Sequence, residues 1–248
     1  LNGLFRVRTF TQDDAHIFMR EDQIEEEVIR LINFIDRMYG VFNLTYSIEL
    51  STRPTEKYIG DIEIWNKSEK ALEEACHKAG HNCKINPGDG AFYGPKLDFH
   101  IRDSLGRVWQ CGTIQLDMNL PERFDLTYID RDGSKKRPVM LHRVIYGSIE
   151  RFIGILIEHY AGAFPTWLSP VQVNIIPVNN EYHLEYAREV MNLLLGNEIR
   201  CKLDDRDEKL GYKIRESQTK KIPYTLVLGD KEKDSNLITY RKYGHQES

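Results

Sequence analysis

The stretch AFPTWLSP, Ala163 to Pro170, carries two prolines and follows neither the two-residue period of a strand nor the period of roughly 3.6 of a helix. Each proline removes a backbone donor and fixes φ at about −65°. No regular element can run through such a stretch, so the chain has to fold as two patterns that meet there. With 248 residues, 41% of them apolar and 29% charged, there is material for one large domain or for two ordinary ones. The break selects two, with expected extents 1–166 and 171–248.

Ahead of the break, Leu4 to Phe18 alternates, and Arg20 to Tyr39 turns helical, with Ile24, Val28, Leu31, Ile32, Ile35 and Met38 on one face and Gly40 as the stop. Tyr46 to Thr52 reads as a strand, Ile64 to Ala79 as a helix ending at Gly80, and Asn86 to Gly94 as a Gly/Pro-rich loop. Lys96–Arg102, Arg107–Met118, Phe124–Asp130 and Arg137–Arg143, with turns at DSLG and DRDG, predict an antiparallel meander closed by a helix over Ser148–Tyr160. Beyond the break the pattern changes. VQVNIIPV, IRCKLDD and YTLVLGD read as strands, Tyr182–Leu195 and Glu208–Lys221 as helices, and Leu237–Arg241 as a last short strand. That alternation predicts βαβ units with right-handed crossovers.

Composition narrows the setting. Four cysteines, Cys76, Cys83, Cys111 and Cys201, form no C-x-x-C pair and are too sparse for a disulfide scaffold, which favours a reducing, cytoplasmic environment. No apolar run approaches the ~18 residues of a membrane span, and no signal-peptide pattern opens the chain, so no membrane partner is expected. A net charge of −4 argues against indiscriminate nucleic-acid binding and leaves room for a local basic patch. The start at Leu1, without methionine and already alternating, suggests a piece of something longer.

The polar residues ask for a reason. In FTQDDAHIF two adjacent carboxylates and a histidine sit in a strand-like pattern, although Asp is a poor strand former. If Arg6 to His16 is one extended strand, Arg6, Arg8, Phe10, Gln12, Asp14 and His16 share a face, and Phe5, Val7, Ala15 and Ile17 take the other. A solvated strand face has the same pattern; the mixture of cations, amide, carboxylate and imidazole favours a site. His142, at a strand end before a helix, reads either as a structural histidine or as a second site residue. GDGAFYGPKLDF flanks Tyr93 and Lys96 with glycines, so that backbone can approach a ligand while the lysine meets an anion; the P-loop spacing is absent. Gln110 and Gln115 have opposite parity in WQCGTIQLD and reach one site only through a bulge, expected at Gly112; without one, the segment is an ordinary hairpin strand.

Five stretches in order, RVRTFTQDDAHIF, AFYGPKLDF, QCGTIQLD, HRVIYGSIERFIGILIEHYAGAFPTWLSPVQV and DDRDEKLGYKIRESQTKKIPYTLVLGDKE, resemble the bacterial threonyl-tRNA synthetases nearly from end to end. The resemblance implies an α+β class II synthetase core on an antiparallel sheet, truncated at its N-terminus, followed by an α/β anticodon-binding domain with a mostly parallel mixed sheet. It implies ATP-dependent activation of threonine, with Mg²⁺, and transfer to tRNA(Thr), by a homodimer in the full-length protein. Family zinc is held by one cysteine and two histidines, the latter matched by His16 and His142, and binds the amino and hydroxyl groups of threonine. Asp14 matches the residue that accepts a hydrogen bond from that hydroxyl, which valine lacks and serine keeps. By the same resemblance Arg6 contacts ATP phosphates, Gln12 the amino-acid site, Tyr93 and Gln115 the threonine pocket, Lys96 the adenylate region and Gln110 the nucleotide. Arg151, in GSIER, stacks on adenine while holding a phosphate, and Lys209, Arg215, Glu232 and Arg241 match anticodon contacts.

The chain also departs from the family. The first class II motif, the leading arginine of the second and the zinc-binding cysteine lie ahead of Leu1 in family members, as do the editing domains; Cys111 matches no ligand position, and Asp207 stands where many bacterial members have asparagine. These departures support an alternative, a non-catalytic tRNA-binding fragment or regulator. A zinc hydrolase using His16, His142 and Asp14 lacks H-E-x-x-H or a comparable local pair. The basic stretch Lys209, Lys213, Arg215, Lys220 and Lys221 also suits a solvated helix face.

Overall fold

The computed structural model describes residues 1–245, which divide into two units, one running to Leu156 and the other from Ile157 on. The end of the expected second domain, residues 246–248, lies outside the described residues.

In the first unit, β1 (Ala15–Met19) leads through a single 3-10 turn into α1 (Ile24–Val41). Ile24, Val28, Leu31, Ile32, Ile35 and Tyr39 are buried along one face of α1, as three- and four-residue spacing requires. Then come β2 (Tyr46–Ser51), α2 (Ile62–Lys78), β3 (Cys83–Asn86), β4 (Lys96–Arg102) and β5 (Val108–Asp117). The short α3 (Leu120–Arg123), the ribbon β6 (Tyr128–Ile129) and β7 (Lys135–Lys136), β8 (Val139–Val144) and α4 (Ile149–His159) follow. Six strands form one sheet in the order β1-β8-β5-β4-β2-β3, antiparallel except for the β2–β3 pair. One face carries Ile48, Leu50, Leu97, Phe99, Ile114, Leu116 and Leu141, all buried, and α1 and α2 pack on the sheet.

Two expectations for this unit are corrected. The meander is not continuous: β5 pairs directly with β8, and β6 and β7 form a separate two-stranded ribbon. Asp117 causes the departure, because its Oδ1 accepts the amides of Asn119 and Leu120 at 2.9 Å and starts α3, leaving only Tyr128 and Ile129 of the expected Phe124–Asp130 strand. Likewise Arg6 to His16 is not one strand; residues ahead of Ala15 run in turns and isolated bridges. Here side-chain bonds to backbone replace a ladder. The Asp13 carboxylate accepts the amides of Ile145 and Tyr146 at 2.9 and 3.0 Å, and the amide of Thr11 donates to Glu150 at 3.1 Å. The two adjacent carboxylates of FTQDDAHIF therefore part company: Asp13 fastens the segment to the end of β8, and Asp14 stays exposed.

The expected bulge is present one residue earlier than Gly112. Phe99 faces Gly112 and His100 faces Gln110, so Cys111 is the extra residue in β5. Gly112 then lies against Tyr39, whose hydroxyl donates to the carbonyl of Ile145 at 2.5 Å.

The second unit comprises β9 (Val173–Pro177), α5 (Asn180–Gly196), β10 (Cys201–Leu203), α6 (Leu210–Thr219), β11 (Tyr224–Leu228), α7 (Asp230–Ser235) and β12 (Thr239–Lys242). The order is β10-β9-β11-β12, parallel except for β12, which is the mostly parallel mixed sheet expected. Val173, Ile175, Leu226 and Leu228 pack against Tyr186, Ala187 and Val190 of α5. Asn174 and Thr225 point to the other face, where Ser217 of α6 bonds Thr225 at 2.6 Å. In this unit α7 has no counterpart in the sequence reading; six residues led by a glycine carry too little periodicity to read as a helix.

A Cβ at Gly112 would lie 2.8 Å from the Tyr39 hydroxyl and 3.0 Å from the Ile145 carbonyl. Gly112→Ala is therefore expected to destabilise the chain by about 1–3 kcal/mol, read as a lower urea midpoint. An unchanged midpoint would mean that the bulge has slack.

Candidate functional site

Strand register, not position along a strand, assembles the polar residues. Ser51 faces Lys96, Lys96 faces Gln115, Gln115 faces His142, and His142 faces His16. Directly opposed residues share a sheet face. One polar row therefore crosses β2, β4, β5, β8 and β1, in place of the row along Arg6–His16 that alternation predicts.

Hydrogen bonds tie this row to its neighbours. The Tyr93 hydroxyl donates to Gln115 Oε1, its ring lies 4.9 Å from that of His142, and its carbonyl accepts from Asn119 at 2.7 Å. Burial, with Asp117 and Asp14 nearby, pushes the Tyr93 phenol up to about 12, so it stays a neutral donor. Beside the row lies a residue that sequence reasoning missed. Asp98, 1% exposed, accepts from Ser51 at 2.7 Å, Lys96 at 2.6 Å, Gln110 at 2.5 Å and Thr113 at 3.2 Å. Gln110 and Thr113 have opposite parity and reach the same carboxylate because Cys111 resets the register between them. The missed signal was a carboxylate of the same parity as Lys96 inside the otherwise apolar alternation of KLDF.

The rings of His16 and His142 lie 4.7 Å apart, edge to face, with Asp14 3.9 Å from His16. His142 Nε2 lies 3.0 Å from the buried Asp117 carboxylate, the kind of partner that fixes a ligating imidazole's tautomer. Two imidazoles on adjacent strands suit two of three zinc donors. Among the described residues no group of three His, Cys, Asp or Glu side chains closes the set. Cys111 does not supply it: the residue is buried in the bulge, and burial pushes its thiol up to about 12, away from the thiolate a metal needs.

Arg151 meets this assembly through Gln110. Its guanidinium lies 5.3 Å over the Trp109 ring, donating to the carbonyls of Gln110 at 3.2 Å and Phe5 at 3.0 Å. Arg6, next to Phe5, is exposed, as is Gln12, which bridges to Ser148 by backbone. The structure thus joins Tyr93, Lys96, Gln110, Gln115, His142 and His16 into one network with Asp14 at its margin, while the side chains of Arg6 and Gln12 face solvent.

In the second unit, Lys209 precedes α6 and Arg215 lies on it, both exposed, while Arg241 is exposed on β12 opposite Thr225. Lys213 does not belong to a solvated face: it is 4% exposed and donates to the carbonyl of Asp204 at 3.1 Å. Glu232 is engaged within the chain. Its Oε2 accepts the Gly229 amide at 3.0 Å and its Oε1 the Thr239 hydroxyl at 2.6 Å, so it fastens α7 to β12.

Comparison with known proteins covers both units. The family model described as tRNA synthetase class II core domain (G, H, P, S and T) matches residues 1–160, and the model described as anticodon binding domain matches residues 172–248. The chain is similar to threonine–tRNA ligase of Fusobacterium nucleatum, 61% identical over 100% of this chain, and to threonine–tRNA ligase 2 of Bacillus subtilis, 58% identical over 100% of it. It spans 40% and 39% of the lengths of those relatives. Among solved structures, the RNA binding domain of threonyl-tRNA synthetase from Cryptosporidium parvum is 44% identical with a TM-score of 0.93, over 98% of this chain and 61% of that one.

The Thr239 hydroxyl and the Gly229 amide hold the Glu232 carboxyl below the usual carboxylate range. A group with a depressed folded-state value stabilises the fold above its unfolded value, about 4.3 for Glu, and loses that contribution as pH falls through the depressed value. Glu232→Gln is therefore expected to narrow the difference in urea midpoint between pH 7 and pH 3. An equal difference in both proteins would show that the latch carries no acid sensitivity.

Proposed function

Because the chain belongs to the class II tRNA synthetase core family (G, H, P, S and T), we propose that it forms part of a threonine–tRNA ligase, with a catalytic region within 1–166 and an anticodon-binding region within 171–248. The observation that carries this reading is the polar row Ser51–Lys96–Gln115–His142–His16, which gathers an ammonium, an amide and two imidazoles on one sheet face.

The chemistry follows from these groups. ATP arrives with Mg²⁺. Arg6, Lys96 and Arg151 meet its phosphates and the developing adenylate, and Gln110 contacts the nucleotide. The threonine carboxylate attacks the α-phosphorus, the bond to the β-phosphate breaks, and pyrophosphate leaves. The ribose hydroxyl of tRNA(Thr) then attacks the acyl carbon and AMP departs. No side chain forms a covalent intermediate; the protein contributes positioning and charge stabilisation.

Selection of threonine rests on polar groups that valine would leave unpaired. Gln12, Tyr93 and Gln115 line the amino-acid pocket, and Asp14 accepts from the threonine hydroxyl. His16 and His142 would hold zinc if a third donor, which the described residues do not supply, completed the set. Bound there, zinc would supply a Lewis acid towards the threonine substrate. Serine shares the hydroxyl and is rejected less well. In the second unit Lys209, Arg215 and Arg241 contact the anticodon loop, their charges giving salt-dependent affinity. Glu232 contributes by the oxygen lone pairs its latch leaves free.

ATP–pyrophosphate exchange by the full-length protein with threonine, valine and serine tests the reading. Threonine should support exchange and valine should not. In that assay Asp14→Ala is expected to lower kcat/KM for threonine ten- to a hundredfold, since a hydrogen bond to a charged partner is worth about 1.5–3 kcal/mol. An unaltered threonine-to-valine ratio would remove Asp14 from the pocket.

Zinc is tested separately by competition with a chromophoric chelator. His16→Ala should weaken zinc binding by on the order of tenfold or more. Equal affinity in variant and wild type would exclude His16 as a ligand.

A further inference from the structure

Asp98 lies on β4 with its side chain withdrawn from water, and all four of its donors are side chains. Its Oδ2 is shared by Lys96 and Ser51, its Oδ1 by Gln110 and Thr113. Thr113 passes the network on, since its hydroxyl lies 3.5 Å from the Gln115 amide nitrogen. Lys96 is 12% exposed, and the other carboxylate in its reach among the described residues, Asp89, is largely exposed at 3.7 Å. A flexible ammonium on a four-carbon stem is thereby held by one rigid partner.

We propose that Asp98 is a positioning residue, which touches no substrate and holds the Lys96 ammonium and the Gln110 amide where the activation step uses them. This rests on the synthetase reading of Lys96 and Gln110. A buried carboxylate suits the task. It orients the Lys96 side chain before any ligand arrives, so little reorganisation remains for the moment of reaction. It also couples the two residues, because both bind opposite oxygens of one group.

The test is threonine-dependent ATP–pyrophosphate exchange by the full-length protein. Asp98→Asn keeps the shape and removes the charge; kcat should fall at least tenfold while KM for threonine changes less than threefold. A structural effect would act independently of Lys96, so Lys96→Met and the double variant complete a cycle. In the Lys96→Met background Asp98→Asn should cost at least threefold less than in the wild type, what remains being its effect on Gln110. A single-variant kcat within twofold of wild type, or the full loss in both backgrounds, overturns the proposal. If Asp98→Asn does not fold, Ser51→Ala removes a donor from the oxygen that Lys96 shares. A threefold or greater loss in kcat that vanishes in the Lys96→Met background then supports the proposal, and no loss or an equal loss overturns it. Absence of exchange in the wild-type protein would overturn the synthetase reading and this inference with it. An active wild type giving either adverse result sinks the inference alone.

Discussion

The site depends on a single surplus residue. Side chains of a strand alternate with a period of two, so Gln110 and Thr113 would ordinarily face opposite sides of the sheet. By standing outside the ladder, Cys111 turns both towards Asp98 and keeps Gln115 opposite Lys96. The same step buries the Cys111 side chain and presses Gly112 against Tyr39. Removing the extra residue would shift one end of β5 by one place and dismantle either the core side or the polar side.

Carboxylates do the fastening elsewhere. Asp13 holds the chain entering β1 to the end of β8, Asp117 starts α3 and braces His142, and Asp98 gathers four side chains. Burying such a group unpaired costs several kcal/mol. Each of the three is met by several donors. Their net contribution to stability is modest, whereas removing one donor leaves a charge short of partners, so these positions specify geometry more than they add stability.

Periodicity made most elements legible. The face of α1, the paired strands β4 and β5, and the alternation of β9, α5, β10, α6 and β11 all follow from spacing. What spacing does not contain is register between strands far apart in the chain. His16 and His142 are 126 positions apart by their numbers, yet directly opposite in the sheet. Alternation is visible along one strand, and the polar row runs across five, where it is not. Asp13 and Lys213 illustrate a second limit. Lys213 reads as part of a solvated face and Asp13 as a misfit in a strand, and each is occupied by backbone groups that only the folded chain brings near.

β1 ends the sheet, paired to β8 on one side alone. One of the two facing imidazoles is thus carried on an edge strand with a single neighbour. A ligand that bridges His16 and His142 must also suppress fraying of that margin, because separating the strands separates its donors. Occupancy and edge order are linked quantities. The intrinsic affinity of the pair is then discounted by the fraction of molecules in which β1 has come loose, and whatever shields that margin strengthens binding without touching either ring.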